Sequence, residues 1–178
     1  KSGTQNESIK TKQDAGTYYI RVYSTSGEAN YKLTASSEIL AIRPKPDPGS
    51  DLPDAYNIGK LDELKAFSDF VGTTDGTDIY RINLSETSRV SLALTDLRGV
   101  ANLYITYDVN NNGIFDSGET IARAESLTTS DRTLNTDLGA GTYFVWVQAG
   151  SNSNTRYQLT ASAKKAASLN SDPGQDYD

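Results

Sequence analysis

Apolar residues recur at every second position over short stretches that are separated by clusters of Gly, Asp, Asn and Ser, which is the signature of strands with one face in a core. Tyr80, Ile82 and Leu84 share one face, then Val90, Leu92 and Leu94, then Leu103, Ile105 and Tyr107. The same period returns at Tyr143, Val145 and Val147 and at Tyr157, Leu159 and Ala161. Residues 66–71, 120–124 and 132–138 read as further strands, residues 55–64 as a strand or irregular lead-in, and 72–78 as a turn. No stretch carries the 3.6-residue period of a long amphipathic helix. About eight strands punctuated by turns predict an all-β fold, an antiparallel jelly-roll-like β-sandwich.

The pattern occurs twice. Gly141-Thr-Tyr-Phe-Val-Trp-Val matches Gly16-Thr-Tyr-Tyr-Ile-Arg-Val, and Tyr157-Gln-Leu-Thr-Ala-Ser matches Tyr31-Lys-Leu-Thr-Ala-Ser. The offset that joins Gly16 to Gly141 also joins Asp47-Pro-Gly-Ser-Asp51 to Asp172-Pro-Gly-Gln-Asp176. A period of about 125 residues is a whole domain and not a short solenoid repeat. Residues 1–45 therefore read as the back half of one repeat, 55–163 as a complete repeat, and 164–178 as a linker and the start of a next one. In the first copy Ser8–Lys12 is a short strand, Asp14-Ala-Gly a turn, Tyr18, Ile20 and Val22 a core face, and Tyr31, Leu33 and Ala35 the inward face of a closing strand. Ser26-Gly-Glu and Gly150-Ser-Asn-Ser-Asn are expected to be the hairpin turns joining each pair. Half a sandwich cannot bury its apolar face, so residues 1–37 are expected to be completed by strands from elsewhere, in the same polypeptide or a neighbour. Residues 46–54 lie in a segment, 44–54, that holds four of the five prolines together with several Asp, and they read as a stiff extended linker.

Composition narrows the chemistry. The chain has no Cys, no His and no Met, which removes thiol chemistry, zinc–thiolate sites and the usual general base. No Gly-x-Ser-x-Gly elbow occurs, and Asp75-Gly-Thr is the wrong order for an aspartic protease. Acids cluster in turns with metal-ligand spacing, so a non-enzymatic protein is expected. The net charge of −6 has no Lys/Arg cluster to interrupt it, which disfavours nucleic acid as a partner. No apolar run reaches the length of a membrane span.

One loop carries a sharp signal. Asp108-Val-Asn-Asn-Asn-Gly-Ile-Phe-Asp-Ser-Gly-Glu119 fits the calcium loop pattern, with Asp108, Asn110 and Asn112 at positions 1, 3 and 5. Gly113 falls at position 6, Asp116 at 9 and Glu119 at 12, while Ile114 offers its carbonyl. Calcium takes six to eight oxygens at about 2.3–2.6 Å, which alternate inward-pointing side chains supply. The other reading is a solvated Asn-Gly hairpin turn, which does not call for acids at 108, 116 and 119 together. Because strands flank the loop, the expected ion is structural and not a switch.

The order Asp47-Pro-Gly-Ser, Ala55-Tyr-Asn-Ile-Gly59, Ser68-Asp-Phe-Val-Gly72, Asp75-Gly-Thr-Asp78-Ile-Tyr80, Ala140-Gly-Thr-Tyr143 and Tyr157-Gln-Leu-Thr160 resembles the bacterial pre-peptidase C-terminal domain. The resemblance covers residues 47–162, and residues 8–36 resemble the last third of another copy. It implies a non-catalytic, extracellular β-sandwich of the kind appended to secreted peptidases and bacterial surface proteins, with the collagen-binding domains of collagenases as relatives. It also implies a second calcium site, in which Asp75 and Asp78 join the linker acids Asp47 and Asp51; the residues alone allow a plain turn with solvated acids.

Tyr19 and Tyr23 in the first copy, and Phe144 and Trp146 in the second, lie on the strand face opposite the core positions. They are candidates for an interface with sugar, collagen-like polymer or a neighbouring domain, or else are covered by another part of the protein. The expected function is a calcium-stabilised repeat module for adhesion, spacing or fibre assembly at the cell surface or in secretion. Its expected partners are neighbouring repeats, copies of itself or an extracellular polymer. The alternative is a substrate-targeting domain of a secreted peptidase that binds collagen-like or polysaccharide material.

Overall fold

The structure, a computed structural model, describes residues 6–11, 13, 17–38 and 40–166. The chain divides into two compact units, Lys1–Ser37 and Glu38–Asp178.

Among its described residues the second unit is an all-β sandwich of nine strands: β1 Tyr56–Gly59, β2 Lys65–Val71, β3 Thr77–Leu84, β4 Ser88–Thr95, β5 Ala101–Thr106, β6 Thr120–Ala124, β7 Arg132–Leu138, β8 Gly141–Ala149 and β9 Thr155–Lys165. One sheet has the order β1-β3-β8-β5-β6 and the other β2-β9-β4-β7. All pairs are antiparallel except β1 against β3. The expected inward faces are the core: Tyr80, Ile82, Val90, Leu94, Leu103, Ile105, Val145, Val147 and Leu159 are all fully buried. Tyr107 departs from that expectation. It follows the last residue of β5 and is 40% exposed. Among the described residues no helix is long and apolar enough to cross a membrane.

Gly150–Asn154 does not close a hairpin. β8 lies at the centre of one sheet and β9 in the interior of the other, so the turn carries the chain across the sandwich. Alternation tells which side of a strand is apolar but not which sheet the strand joins, because both inner faces share the period of two. The crossing is tight: a Cβ on Gly150 would stand 2.6 Å from Val100 Cγ1.

The proline-rich stretch departs from an extended linker. Ile42 pairs in parallel with Phe67 of β2, and the carbonyl of Gly49 accepts from the Ile79 amide of β3 at 3.0 Å. Residues 42–49 thus pass from the edge strand β2 of one sheet to β3, beside the edge strand β1, of the other. Leu52 and Ala55 then bury themselves against Ile79 and Phe144, with Trp146 packed beside them. The second compact unit begins at Glu38.

In the first unit, the turn at Ser24–Gly27 is present, with Ser24 Oγ donating to the carbonyl of Gly27 at 2.9 Å and Gly27 at φ 72°. The flanking strands expected over residues 17–24 and 31–36 do not form. Tyr18, Ile20, Val22, Tyr31 and Leu33, expected to be core, are all exposed. A strand needs a ladder partner and a covering layer, and an apolar alternation without them stays in solvent. The Asp14-Ala-Gly turn, the end of the Ser8–Lys12 strand and Asp172–Asp176 lie outside the described residues; residues 8–11 form no strand.

Candidate metal centre

Strand parity brings two acids into the interior. On β3, Asp78 is two residues before Tyr80 and so shares its inward face; on β2, Asp69 lies between Phe67 and Val71 on theirs. Both aspartates are buried, at 0% and 7% exposure. They come from opposite sheets. The β2–β3 turn adds Asp75, held where the amide of Gly72 donates to the Asp75 carbonyl at 2.6 Å. The crossing segment 42–49 adds Asp47.

Single carboxylate oxygens of Asp47, Asp75 and Asp78 lie within 4.8 Å of one another. Like charges this close repel, and burial adds a desolvation penalty for the ionised forms. Burial, followed by Asp47, pushes the carboxyl groups of Asp69 and Asp75 above the usual range. Burial pushes Asp78 up to about 8, against the lowering pull of a hydrogen bond from Tyr157. That hydroxyl donates to Asp78 Oδ2, and the Tyr80 hydroxyl lies 2.6 Å from the Tyr157 hydroxyl. With the Tyr157 proton committed to Asp78, Tyr80 is the donor in the second bond.

Two carboxylate oxygens are left over. Asp78 Oδ1 and Asp69 Oδ2 are buried and have no hydrogen-bond partner among the described residues. Such atoms in a native fold call for a water or an ion. The cation paired with the group is Arg43, whose Nε is 3.8 Å from Asp69 Oδ1 and whose side chain is 72% exposed. The donor set is wholly hard oxygen, which fits calcium and excludes the soft thiolate metals. Asp51 stands outside the group. Its carbonyl accepts from the Asp54 amide and it lines a groove described below. Asp69 was not anticipated from the sequence, although its parity with Phe67 and Val71 was there to be read.

The loop between β5 and β6 is a closed ring of hydrogen bonds. Asp108 accepts from the amides of Asn112 and Gly113 at 3.1 and 2.9 Å. Glu119, 5% exposed, accepts from Val109 at 3.0 Å and Asp116 at 2.9 Å. Asn110 and Asn112 donate to Asp116 Oδ2, and these bonds hold the Asp116 carboxyl below its usual range. Asn111 and Gly113 turn the chain at φ 55° and 72°. All of the expected side-chain ligands are thus drawn into one ring, whereas Ile114 is 62% exposed at its rim. Among the described residues the trio of converging carboxylates is the Asp47 group; Asp108, Asp116 and Glu119 do not form a second one.

The loop also lies beside the proline-rich stretch that follows the crossing segment: a Cβ on Gly113 would meet Pro53 Cγ at 3.5 Å. Phe115 packs its ring 4.7 Å from that of Trp146. Phe144, considered as an outward contact residue, is only 8% exposed because Leu52 and Ala55 cover it. Trp146 is half-buried at an open groove of about 570 Å³ between residues 50–53 and 112–115. In the first unit, Tyr19 and Tyr23 are 92% and 71% exposed, with the Arg21 guanidinium 5.5 Å from the Tyr23 ring.

No family model and no curated protein matches the chain. Solved structures similar to it include the pre-peptidase C-terminal domain of a collagenase from Bacillus anthracis, 17% identical, covering 61% of this chain and 93% of that one, with a TM-score of 0.48. A periplasmic inhibitor of g-type lysozyme from Aeromonas hydrophila is 13% identical over 61% of this chain and 96% of its own, with a TM-score of 0.40. The Yersinia pseudotuberculosis-derived mitogen is 13% identical over 62% of this chain and 93% of its own, also with a TM-score of 0.40.

Proposed function

We propose that the chain is a non-catalytic, calcium-stabilised β-sandwich module of a secreted or cell-surface bacterial protein, serving adhesion, spacing or fibre assembly. The observation that carries this reading is the convergence of Asp47, Asp75 and Asp78, with a buried Asp78 oxygen that has no hydrogen-bond partner among the described residues. A calcium ion there would be held by the three carboxylates and would neutralise charge that the fold otherwise concentrates. The Asp108–Glu119 loop is the second place for calcium, with Asp108, Asn110, Asn112, Asp116 and Glu119 as side-chain ligands and the Ile114 carbonyl completing the set. Neighbouring repeats or copies of the chain are the natural partners of a module whose residues 17–36 repeat the sequence of sandwich strands yet leave Tyr18, Ile20, Val22, Tyr31 and Leu33 exposed. The exposure of Tyr19 and Tyr23 favours a second reading, a targeting domain that binds a collagen-like or polysaccharide polymer through these rings.

Thermal melts in EDTA and in millimolar calcium chloride test the first reading. At a hundredfold excess over its dissociation constant an ion adds about 2.7 kcal/mol, so the midpoint should rise by several degrees, and Asp75→Asn or Asp78→Asn should remove the part due to the carboxylate group. Identical melts of the wild-type chain in both buffers would overturn it.

A further inference from the structure

Asp69 is the acid that the three-carboxylate group leaves unexplained. It belongs to β2, in the sheet opposite β3, and its side chain is 2% exposed. One of its oxygens is engaged: Oδ1 accepts from the Phe70 amide at 3.1 Å and faces Arg43 at 3.8 Å. Oδ2 is buried with no hydrogen-bond partner among the described residues. An ionised oxygen in that state is costly wherever it occurs in a protein, and an apolar or amide side chain would avoid the cost on a strand whose neighbours Phe67 and Val71 are plain core residues. The negative groups that act on Asp69 are Asp47 and Asp75, and Asp69 acts in turn on Asp78. Asp69 thus lies outside the 4.8 Å trio but within electrostatic reach of it.

We propose that Asp69 is a fourth acid of the metal centre, facing the ion or an ion-bound water through Oδ2, so that one divalent cation clasps both sheets and the crossing segment. This rests on the reading of Asp47, Asp75 and Asp78 as calcium ligands and extends it. The clasp has a geometric logic. Asp69 comes from the four-stranded sheet, Asp78 from the five-stranded sheet, Asp75 from the turn that joins β2 to β3, and Asp47 from the segment that passes from one sheet to the other. Four carboxylates beside the Arg43 guanidinium leave, among the described residues, a strongly negative site, which selects a divalent or trivalent ion over sodium or potassium. Arg43 then competes with the ion for Asp69.

Calcium titration of the full chain by calorimetry, with equilibrium dialysis to count ions, tests the assignment. The ion lost on Asp78→Asn defines the centre. Asp69→Asn should weaken that same ion by about tenfold or more and leave any other bound ion unchanged. In EDTA the Asp69→Asn chain should melt no lower than wild type, because the amide removes a buried charge; this separates a ligand role from a general defect in folding. Arg43→Gln should tighten binding in the wild-type background and lose that effect when combined with Asp69→Asn. Wild-type affinity in Asp69→Asn, or an Arg43→Gln effect that is independent of Asp69, would overturn the role of Asp69 alone. An Asp78→Asn chain that loses no ion would instead overturn the centre itself.

Discussion

The hydroxyl of Tyr157 donates to Asp78 Oδ2 in the closed interior of the sandwich, and the other oxygen of the same carboxylate has no hydrogen-bond partner among the described residues. Tyr157 is 2% exposed and Asp78 is fully buried. One side of the carboxylate is therefore fixed by the core, while the residue as a whole stands within 4.8 Å of Asp47 and Asp75, oxygen to oxygen. Tyr80 supports the arrangement by donating to Tyr157. Orientation of a ligand by an outer hydrogen bond of this kind is a recurrent feature of metal sites.

Tyr157→Phe keeps the ring and removes the donor. Calcium affinity at the Asp78 site is expected to fall by about 10- to 100-fold, while Tyr80→Phe, one bond further out, has a smaller effect. Calorimetric titration of the two variants checks both the direction and the order.

The pH dependence of the chelated protein follows from Asp78. Its folded value of about 8 is above the ordinary 3.8. A raised folded value means that the folded state holds its proton more tightly, so this contribution is fully present below about pH 4 and is lost as pH rises through about 8. Melts in EDTA should therefore show the midpoint falling between pH 5 and 8. Asp78→Asn should flatten that fall, and a midpoint that rises over the same range in wild type would contradict the assignment.

Asp108→Ala combined with Glu119→Ala removes acceptors from the amides of Asn112, Gly113, Val109 and Asp116. In EDTA the loss should be about 1–3 kcal/mol, because Glu119 is buried and its donors are left unmet. In calcium the variant should bind one ion fewer than wild type. An unchanged ion count in dialysis would remove the loop from the list of calcium sites.

Gly72→Ala places a Cβ 2.2 Å from Asn154 Oδ1 and 2.7 Å from Phe70 Cζ. Asn154 must then move and release the Thr73 amide that it accepts from at 3.1 Å. The cost should be about 1–3 kcal/mol. Because the same turn carries Asp75, calcium affinity should fall together with the melting midpoint.

Much of the sandwich was legible because its strands obey a strict period of two. Val90, Leu92 and Leu94 could face only one way once their strand was recognised, and they are core. What alternation could not report was the sheet to which each strand belongs, so the turn after β8 was read as a hairpin when it is a crossing. The proline-rich segment has the composition of a linker, but Leu52 and Ala55 have a tertiary cover waiting in Phe144, which no local signal reveals. Among the acids, the spacing of the Asp108–Glu119 loop was visible because a motif is local. The Asp47 group was visible only through a family likeness, since its members are joined by the fold. Asp69 required the strand parity and the opposing sheet to be considered together. In the first unit the alternation of Tyr18, Ile20 and Val22 is as clean as in β8, and no strand results. Periodicity records a side chain's preference for cover and says nothing of whether cover is supplied.

The parallel pairing of Ile42 with Phe67 has a mechanical consequence. The leading segment runs along one flank of β2 in the same direction as β2, and β9 runs along the other flank in the opposite direction. The chain therefore arrives and departs at the same end of the sandwich. Tension applied through both ends would peel the backbone bonds of Ile42 one after another, as in a zipper, and would not load a whole ladder at once in shear. An ion seated on Asp47, just beyond that seam, would be the rivet at which the peeling stops.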